Sequence, residues 1–267
     1  MHELAFVFAG FAVGLIVGLT GVGGGSLMTP ILIFFFGVKP HMAVGTDLLF
    51  AAFTKMGGTV SLARQRLVPW KVVGQLCAGS IPAALLALWA LKVMGPASGA
   101  AQAIMTTTLG FALLLTAAAT LYKAVAFSAQ RQAAEAAARK THTGDPTRPR
   151  HWSLPVLLGA VIGTLVTFTS VGAGAIGVTV LLLVYPLLPL PRVIGADIAY
   201  AVPLTLVAGL GHASLGSVDW PLLAQLLAGS LPGIWLGSRL VTRTPERLIR
   251  SALSVLLAWA GFKLILI

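Results

Sequence analysis

The chain has 267 residues, 57% of them hydrophobic and 9% charged, with a mean hydropathy of +0.94 and a formal net charge of +11. A water-soluble domain carries roughly a quarter charged residues, so this composition excludes a soluble globule and points to apolar segments lying in lipid. The positive balance reads as cationic loops on the cytoplasmic side of a membrane; no RNA- or DNA-binding motif accompanies it, and no nucleic-acid partner is expected.

In chain order, apolar segments run over 4–20, 24–36, 43–63, 72–94 and 98–126, and then over 152–169, 174–188, 193–213, 221–238 and 248–267. The start of the first lacks a basic region and a small-residue cleavage site, so it reads as a retained segment and not a signal peptide. The segments 24–36 and 174–188 are short, about 20 Å of helix each, and predict re-entrant half-helices rather than full crossings. Between the two sets, SAQRQAAEAAARK (128–140) reads as a helical extension and THTGDPTRPRH (141–151) as a flexible linker. Cys77 is the single cysteine, so no intrachain disulfide can form.

The two sets are copies of one unit. At an offset of 150, Trp70, Gln75, Ala78, Gly79, Ser80 and Pro82 fall on Trp220, Gln225, Ala228, Gly229, Ser230 and Pro232, and Gly45 and Asp47 fall on Gly195 and Asp197. At 149, Val22, Gly23 and Gly25 fall on Val171, Gly172 and Gly174. Apolar composition does not by itself repeat a Trp, a Gln, an Asp and a Ser at one spacing. The expected fold is an all-α polytopic membrane protein with two inverted repeats of about five helical segments each, residues 1–127 and 152–267, joined by a cytoplasmic linker over 128–151.

The cations choose between two topologies. If 4–36 and 152–188 are each one broken crossing, the halves are parallel and the cations divide ten against seven, with Lys55 inside the membrane. If each glycine-rich break is the tip of a hairpin, fourteen lie on one side and only Lys39, Lys92 and Lys263 on the other. The second division fits the positive-inside bias. It places both termini outside and the 127–151 loop in the cytoplasm.

Two constellations bear chemistry. The run Gly21-Val22-Gly23-Gly24-Gly25-Ser26, preceded by Thr20, and its counterpart Ser170-Val171-Gly172-Ala173-Gly174, preceded by Thr169, each open a short helix. A helix starting inside the bilayer offers unpaired N–H groups and the positive end of its dipole, which suit an anion, and transporters place substrate where discontinuous helices meet. The same glycines would also serve close helix packing, as the spacing of Gly10, Gly14 and Gly18 and of Gly229, Gly233 and Gly237 does. Neither run is a dinucleotide or P-loop fingerprint.

The second constellation is Thr46, Asp47 and Lys55. Ionisable groups in a membrane segment are costly and either pair with one another or line a cavity. Lys55 can attract an anion and Asp47 balance it or carry a proton; equally, the two can be a buried pair that joins helices. Asp197 repeats Asp47, whereas Thr205 stands where Lys55 would. Gln75 and Gln225 are candidate donors to substrate, and His212 is a candidate proton acceptor or an interfacial structural histidine. No metal-ligand spacing or cofactor motif is present.

Three stretches, GLTGVGGGSLMTPIL, AVGTDLLFAAFTKMGGTVSLARQRLVPW and VIGADIAYAVPLTLVAGLGHASLGSVDWPLLAQLLAGSLPG, resemble the TauE/SafE sulfite-exporter family, and the resemblance runs over nearly the whole chain. It implies export of sulfite, sulfoacetate or a related organosulfonate, driven by an electrochemical gradient. The chain departs from the pattern where Ala173 interrupts the second glycine run and Thr179 replaces a proline like Pro30. The expected function is therefore secondary transport of a small anion by alternating access, with Asp47, Asp197 and His212 as candidates for proton coupling. The alternative is an anion channel, or a carrier for another oxyanion. An enzyme is not expected, because no activated nucleophile or metal ligand set accompanies the two aspartates. The partners are the anion and the lipid bilayer, and a homo-oligomer is compatible with the sequence.

Overall fold

A computed structural model describes residues 2–20, 25–140, 147, 153–172, 174–240 and 246–266. The described residues form ten helices and no strand: α1 (His2–Thr20), α2 (Gly25–Phe36), α3 (Pro40–Arg64), α4 (Trp70–Met94), α5 (Gly99–Lys140), α6 (Leu154–Thr169), α7 (Ala175–Val184), α8 (Leu190–Ser214), α9 (Trp220–Leu240) and α10 (Glu246–Ile265). Every apolar segment read from the sequence is a helix. The extension over 128–140 is the continuation of α5, while most of the linker over 141–151 lies outside the described residues. Helix α7 ends four residues before the apolar run does, because Tyr185 precedes Pro186 and a residue before proline is pushed out of the helical region.

The chain is a membrane protein by composition and by surface. Trp70–Met94, Gly99–Leu121 and Leu190–Ser214 are long and apolar enough to cross a bilayer, and α1, α2, α6 and α10 contain shorter apolar helices. Phe8, Leu86, Trp89, Phe111, Leu157, Leu183, Val255 and Phe262 all point outward, an apolar girdle that water would not tolerate on a soluble protein. Trp70 and Trp220, equivalent residues of the two halves, are both exposed at helix starts, where indole rings suit a membrane interface.

The two halves interlock. Helix α1 packs along α9, and its equivalent α6 packs along α4, so each half lends one helix to the other. Glycines set these contacts. A Cβ on Gly10 or Gly14 would strike the carbonyls of Leu226 or Ser230, and one on Gly229 or Gly233 those of Val7 or Phe11, so α1 and α9 run parallel with touching backbones. Gly79, Gly159 and Gly163 do the same between α4 and α6, against Val156, Leu76 and Ser80. Two other equivalent pairs, α3 with α8 and α5 with α10, meet each other and run antiparallel: Gly45 of α3 faces His212 of α8 while Gly195 of α8 faces Leu67, and Gly110 of α5 faces Ile265 while Gly261 of α10 faces Leu114.

Two apolar cores result, and each mixes both halves. One gathers α4, α6, α7 and α8 with Val44 and Leu48 of α3 and Ala101 and Met105 of α5; the other gathers α2, α3, α9, α10 and the rest of the buried α5 side chains with Val13 of α1. The long helix α3 has side chains in both, so the α3–α8 seam is the joint between them.

Gly79→Ala and Gly229→Ala should each lower stability by about 1–3 kcal/mol, the usual cost of overpacking, while Gly74→Ala, where a Cβ meets open space, should leave it unchanged. Thermal unfolding of the detergent-purified variants checks this. Equal stability of all three would mean that the helices have room to separate.

Candidate functional site

The α3–α8 seam holds two carboxylates. Asp47 and Asp197 stand at the same position, seven residues after the first residue of their helices, and both are buried. An ionised carboxylate in an apolar seam must be given partners, and the half-helices bring them. On the Asp47 side, the hydroxyl of Thr29 in α2 donates to Oδ2 at 2.5 Å. The hydroxyl of Ser170, in the break between α6 and α7, also faces Asp47. The other oxygen, Oδ1, is buried with no hydrogen-bond partner among the described residues.

The break itself is built locally. Ser170 ends α6 in the left-handed conformation (φ 58°, ψ 1°), its N–H bonded to the Val166 carbonyl at 2.7 Å. Thr169 staples the turn: its hydroxyl donates to the Leu165 carbonyl at 2.6 Å and accepts from the Val171 N–H at 3.1 Å. Gly172 (φ 128°) and Gly174 (φ 132°) then adopt backbone angles that only glycine takes without strain. Helix α7 restarts with the N–H groups of Gly177 and Val178 on the carbonyls of Gly172 and Gly174. Among the residues expected at the first tip, Thr20 closes α1, Gly25 opens α2 and Ser26 is buried in the first turn of α2. Gly21, Gly23 and Gly24 lie outside the described residues.

On the Asp197 side, bare backbone lies against the carboxylate. A Cβ on Gly177 would land on Asp197 Oδ1 and come within 3.5 Å of the Tyr200 hydroxyl, so only glycine lets α7 pass over this carboxylate. Tyr200 is fully buried and its hydroxyl has no hydrogen-bond partner among the described residues. Lys55, two turns beyond Asp47 on α3 and half-buried, lies within electrostatic reach of both Asp47 and Asp197. The cation thus stands between the two acids along the seam. Thr205, its counterpart, bonds only to its own helix, at the Ala201 carbonyl.

Other residues singled out by the sequence are tied elsewhere. Thr46 accepts from the Asp219 N–H at 3.0 Å and anchors α3 to the α8–α9 connection. Gln75 accepts from the Tyr185 hydroxyl at 2.6 Å, which joins α4 to the end of α7. Gln225 is half-buried on α9. His212 is buried with Nε2 2.9 Å from the Thr167 carbonyl. Gly177 and Tyr200 were not singled out from sequence; a tyrosine one turn after a membrane-embedded aspartate is the signal that marks the second. Among the described residues, no three His, Cys, Asp or Glu side chains gather to hold a metal ion.

A buried, charge-bearing seam between interlocked membrane helices, flanked by a helix break, is the architecture of a transport protein. The family model for the sulfite exporter TauE/SafE matches residues 6–264. The chain belongs to the TauE/SafE family. A probable membrane transporter protein, YjnA, of Bacillus subtilis (strain 168) is 34% identical over 98% of this chain and 100% of its own length. YdhB of the same organism, also named a probable membrane transporter protein, is 25% identical over 96% and 97%, and a relative of that description from Xylella fastidiosa (strain 9a5c) is 26% identical over 88% and 83%. No solved structure matches the chain. This TauE/SafE protein is a membrane transporter.

The Thr29–Asp47 bond ties a half-helix to the seam, and hydrogen bonds to charged groups are worth about 1.5–3 kcal/mol. Thr29→Val should destabilise the protein by about that amount, and much less when Asp47 is already Asn. A double-mutant cycle in thermal or denaturant unfolding reads the coupling; additive effects would mean that the two side chains do not depend on one another.

Proposed function

We propose that this protein exports a small oxyanion, sulfite or an organosulfonate such as sulfoacetate, as a proton-coupled secondary transporter working by alternating access. The observation that carries the reading is the break at Ser170–Gly174, which turns a helix start toward the charged seam beside Asp47. The first N–H groups of a helix have no carbonyl within it, so those of Ala175 and Ile176 are donors for an anion, along with the Ser170 hydroxyl. Ser26, buried in the first turn of α2, adds a hydroxyl, and Lys55 supplies the countercharge.

Coupling follows from the charge count. Two carboxylates and one ammonium sum to −1 when both acids are ionised, so an entering anion meets net repulsion. One proton on Asp47 or Asp197 brings the sum to zero and frees Lys55 for the anion. Anion and proton therefore bind together. A channel using the same donors would conduct without saturation; saturable anion-for-anion exchange in proteoliposomes and an absence of single-channel current separate the two.

The inverted topology belongs to the same proposal, with repeats at 1–127 and 152–267, a cytoplasmic linker at 128–151 and both termini periplasmic in the inner membrane. Its support is the direction of equivalent helices. If α1 and α2 formed one continuous crossing, and α6 and α7 likewise, α3 and α8 would run the same way, whereas they run opposite ways, as do α5 and α10. The fourteen-to-three division of cations agrees.

Lys55→Gln should weaken sulfoacetate binding about 10–100-fold, the equivalent of a charge-assisted contact. Ser170→Gly, which keeps the left-handed backbone and removes only the hydroxyl, should weaken it about 2–10-fold. Calorimetric titration of purified protein with sulfite and sulfoacetate measures both. Wild-type affinity in Lys55→Gln would take the seam out of substrate binding.

A further inference from the structure

A second polar cluster lies at the Asp47 end of the α3–α8 seam, outside the anion site. His212, in the last turn of α8, is completely buried, with Nε2 2.9 Å from the Thr167 carbonyl oxygen. A carbonyl only accepts, so Nε2 carries the hydrogen and Nδ1 of the neutral ring is a bare lone pair. That Nδ1 has no partner among the described residues. The His212 Cβ sits 3.0 Å from where a Cβ of Gly45 would be, two residues before Asp47. One turn earlier on α3, His41 is buried too, its Nδ1 is also without a hydrogen-bond partner, and it lies within electrostatic reach of His212. Ser217, whose N–H bonds to the His212 carbonyl at 2.9 Å, adds a buried hydroxyl with no hydrogen-bond partner among the described residues.

Buried polar groups normally have partners, and each exception asks for a reason. A clamp between α8 and α6 accounts for Nε2 of His212. It does not account for Nδ1, or for a second histidine beside it. The other half has no such cluster: at the same offset, Pro191 stands for His41, Leu62 for His212 and Leu67 for Ser217. The polar track exists at one end of the seam only.

We propose that His41 and His212 form a proton entry to Asp47 that opens on the face carrying the N-terminus of α3 and not on the opposite face. This rests on the reading of Asp47 as a coupling acid. A proton from bulk water is taken up at His41, near the rim, passes to Nδ1 of His212, and leaves from that same nitrogen for the Asp47 carboxylate. Nε2 keeps its hydrogen on Thr167 throughout, so one proton leaves the bulk and one arrives on Asp47. The charged groups around this path are Lys39 ahead of α3, Asp47 on α3 and Asp219 in the α8–α9 connection. The contacts described from α4 and α6 are the apolar Leu88, against Gly211, and the uncharged Thr167.

The test uses full-length protein in liposomes loaded with pyranine, with sulfoacetate as the transported anion. His212→Gln keeps an N–H for the Thr167 carbonyl and cannot titrate; His41→Leu removes the outer group. Both variants should lose sulfoacetate-driven proton movement and its pH dependence, yet keep sulfoacetate-for-sulfoacetate exchange at equal pH, which needs no net proton flow. In vesicles captured through an N-terminal tag, wild-type flux should respond to pH on the tagged side alone. Wild-type proton movement in His212→Gln, or loss of exchange together with proton movement, would overturn the proposal, since the ring would then be a clamp or part of the anion site. Exchange without proton movement in the wild type would overturn it as well while leaving the anion reading intact. A wild type with no exchange at all would strike the anion reading and this inference with it.

Discussion

Charge buried in a seam with almost no water to solvate it is the constraint from which the rest of this structure follows. Asp47 and Asp197 cannot sit on α3 and α8 unless something other than water meets their oxygens. The short helices α2 and α7 lie against them. Helix α2 brings the Thr29 hydroxyl to Asp47, α7 brings the bare backbone of Gly177 to Asp197, and α3 itself places Lys55 between the two acids.

Glycine makes the geometry around that seam attainable. Helices α1 and α9, and α4 and α6, approach until backbone meets backbone, which closes the outside of the bundle and leaves polar groups in the middle. Because each half gives one helix to the other, neither core is complete without both. Moving one half as an independent body would disrupt both cores.

The residues that match at one offset also differ in places. Lys55 faces Thr205 across the repeat, Tyr200 stands for Phe50, Tyr185 for Phe36, and His212 for Leu62. Tyr200, Tyr185 and His212 each put a polar group where the matching position is apolar, and Lys55 puts a charge where the matching position has a neutral hydroxyl.

Much was legible in the residues alone. The ten helices follow from runs of apolar side chains, the break at Ser170–Gly174 from glycines that interrupt such a run, and the equivalence of Asp47 with Asp197 from matches at one offset. These signals are local, or repeat at a fixed spacing, and so survive in one dimension. Which groups touch could not be read there. Thr29 reaches Asp47 across 18 residues, His212 reaches Thr167 across 45 and Tyr185 reaches Gln75 across 110, each through a helix crossing that no periodicity encodes. Gln75 illustrates the gap: its match with Gln225 drew attention to it as a substrate donor, and the fold assigns its carbonyl to a tyrosine. The sequence by itself determined a duplicated, helical membrane protein with ionisable residues in its spans, because hydropathy and repetition are written along the chain. Tertiary structure decided which of those residues share a site, because partnership depends on how backbones cross, and here that is set by where glycine lets them touch.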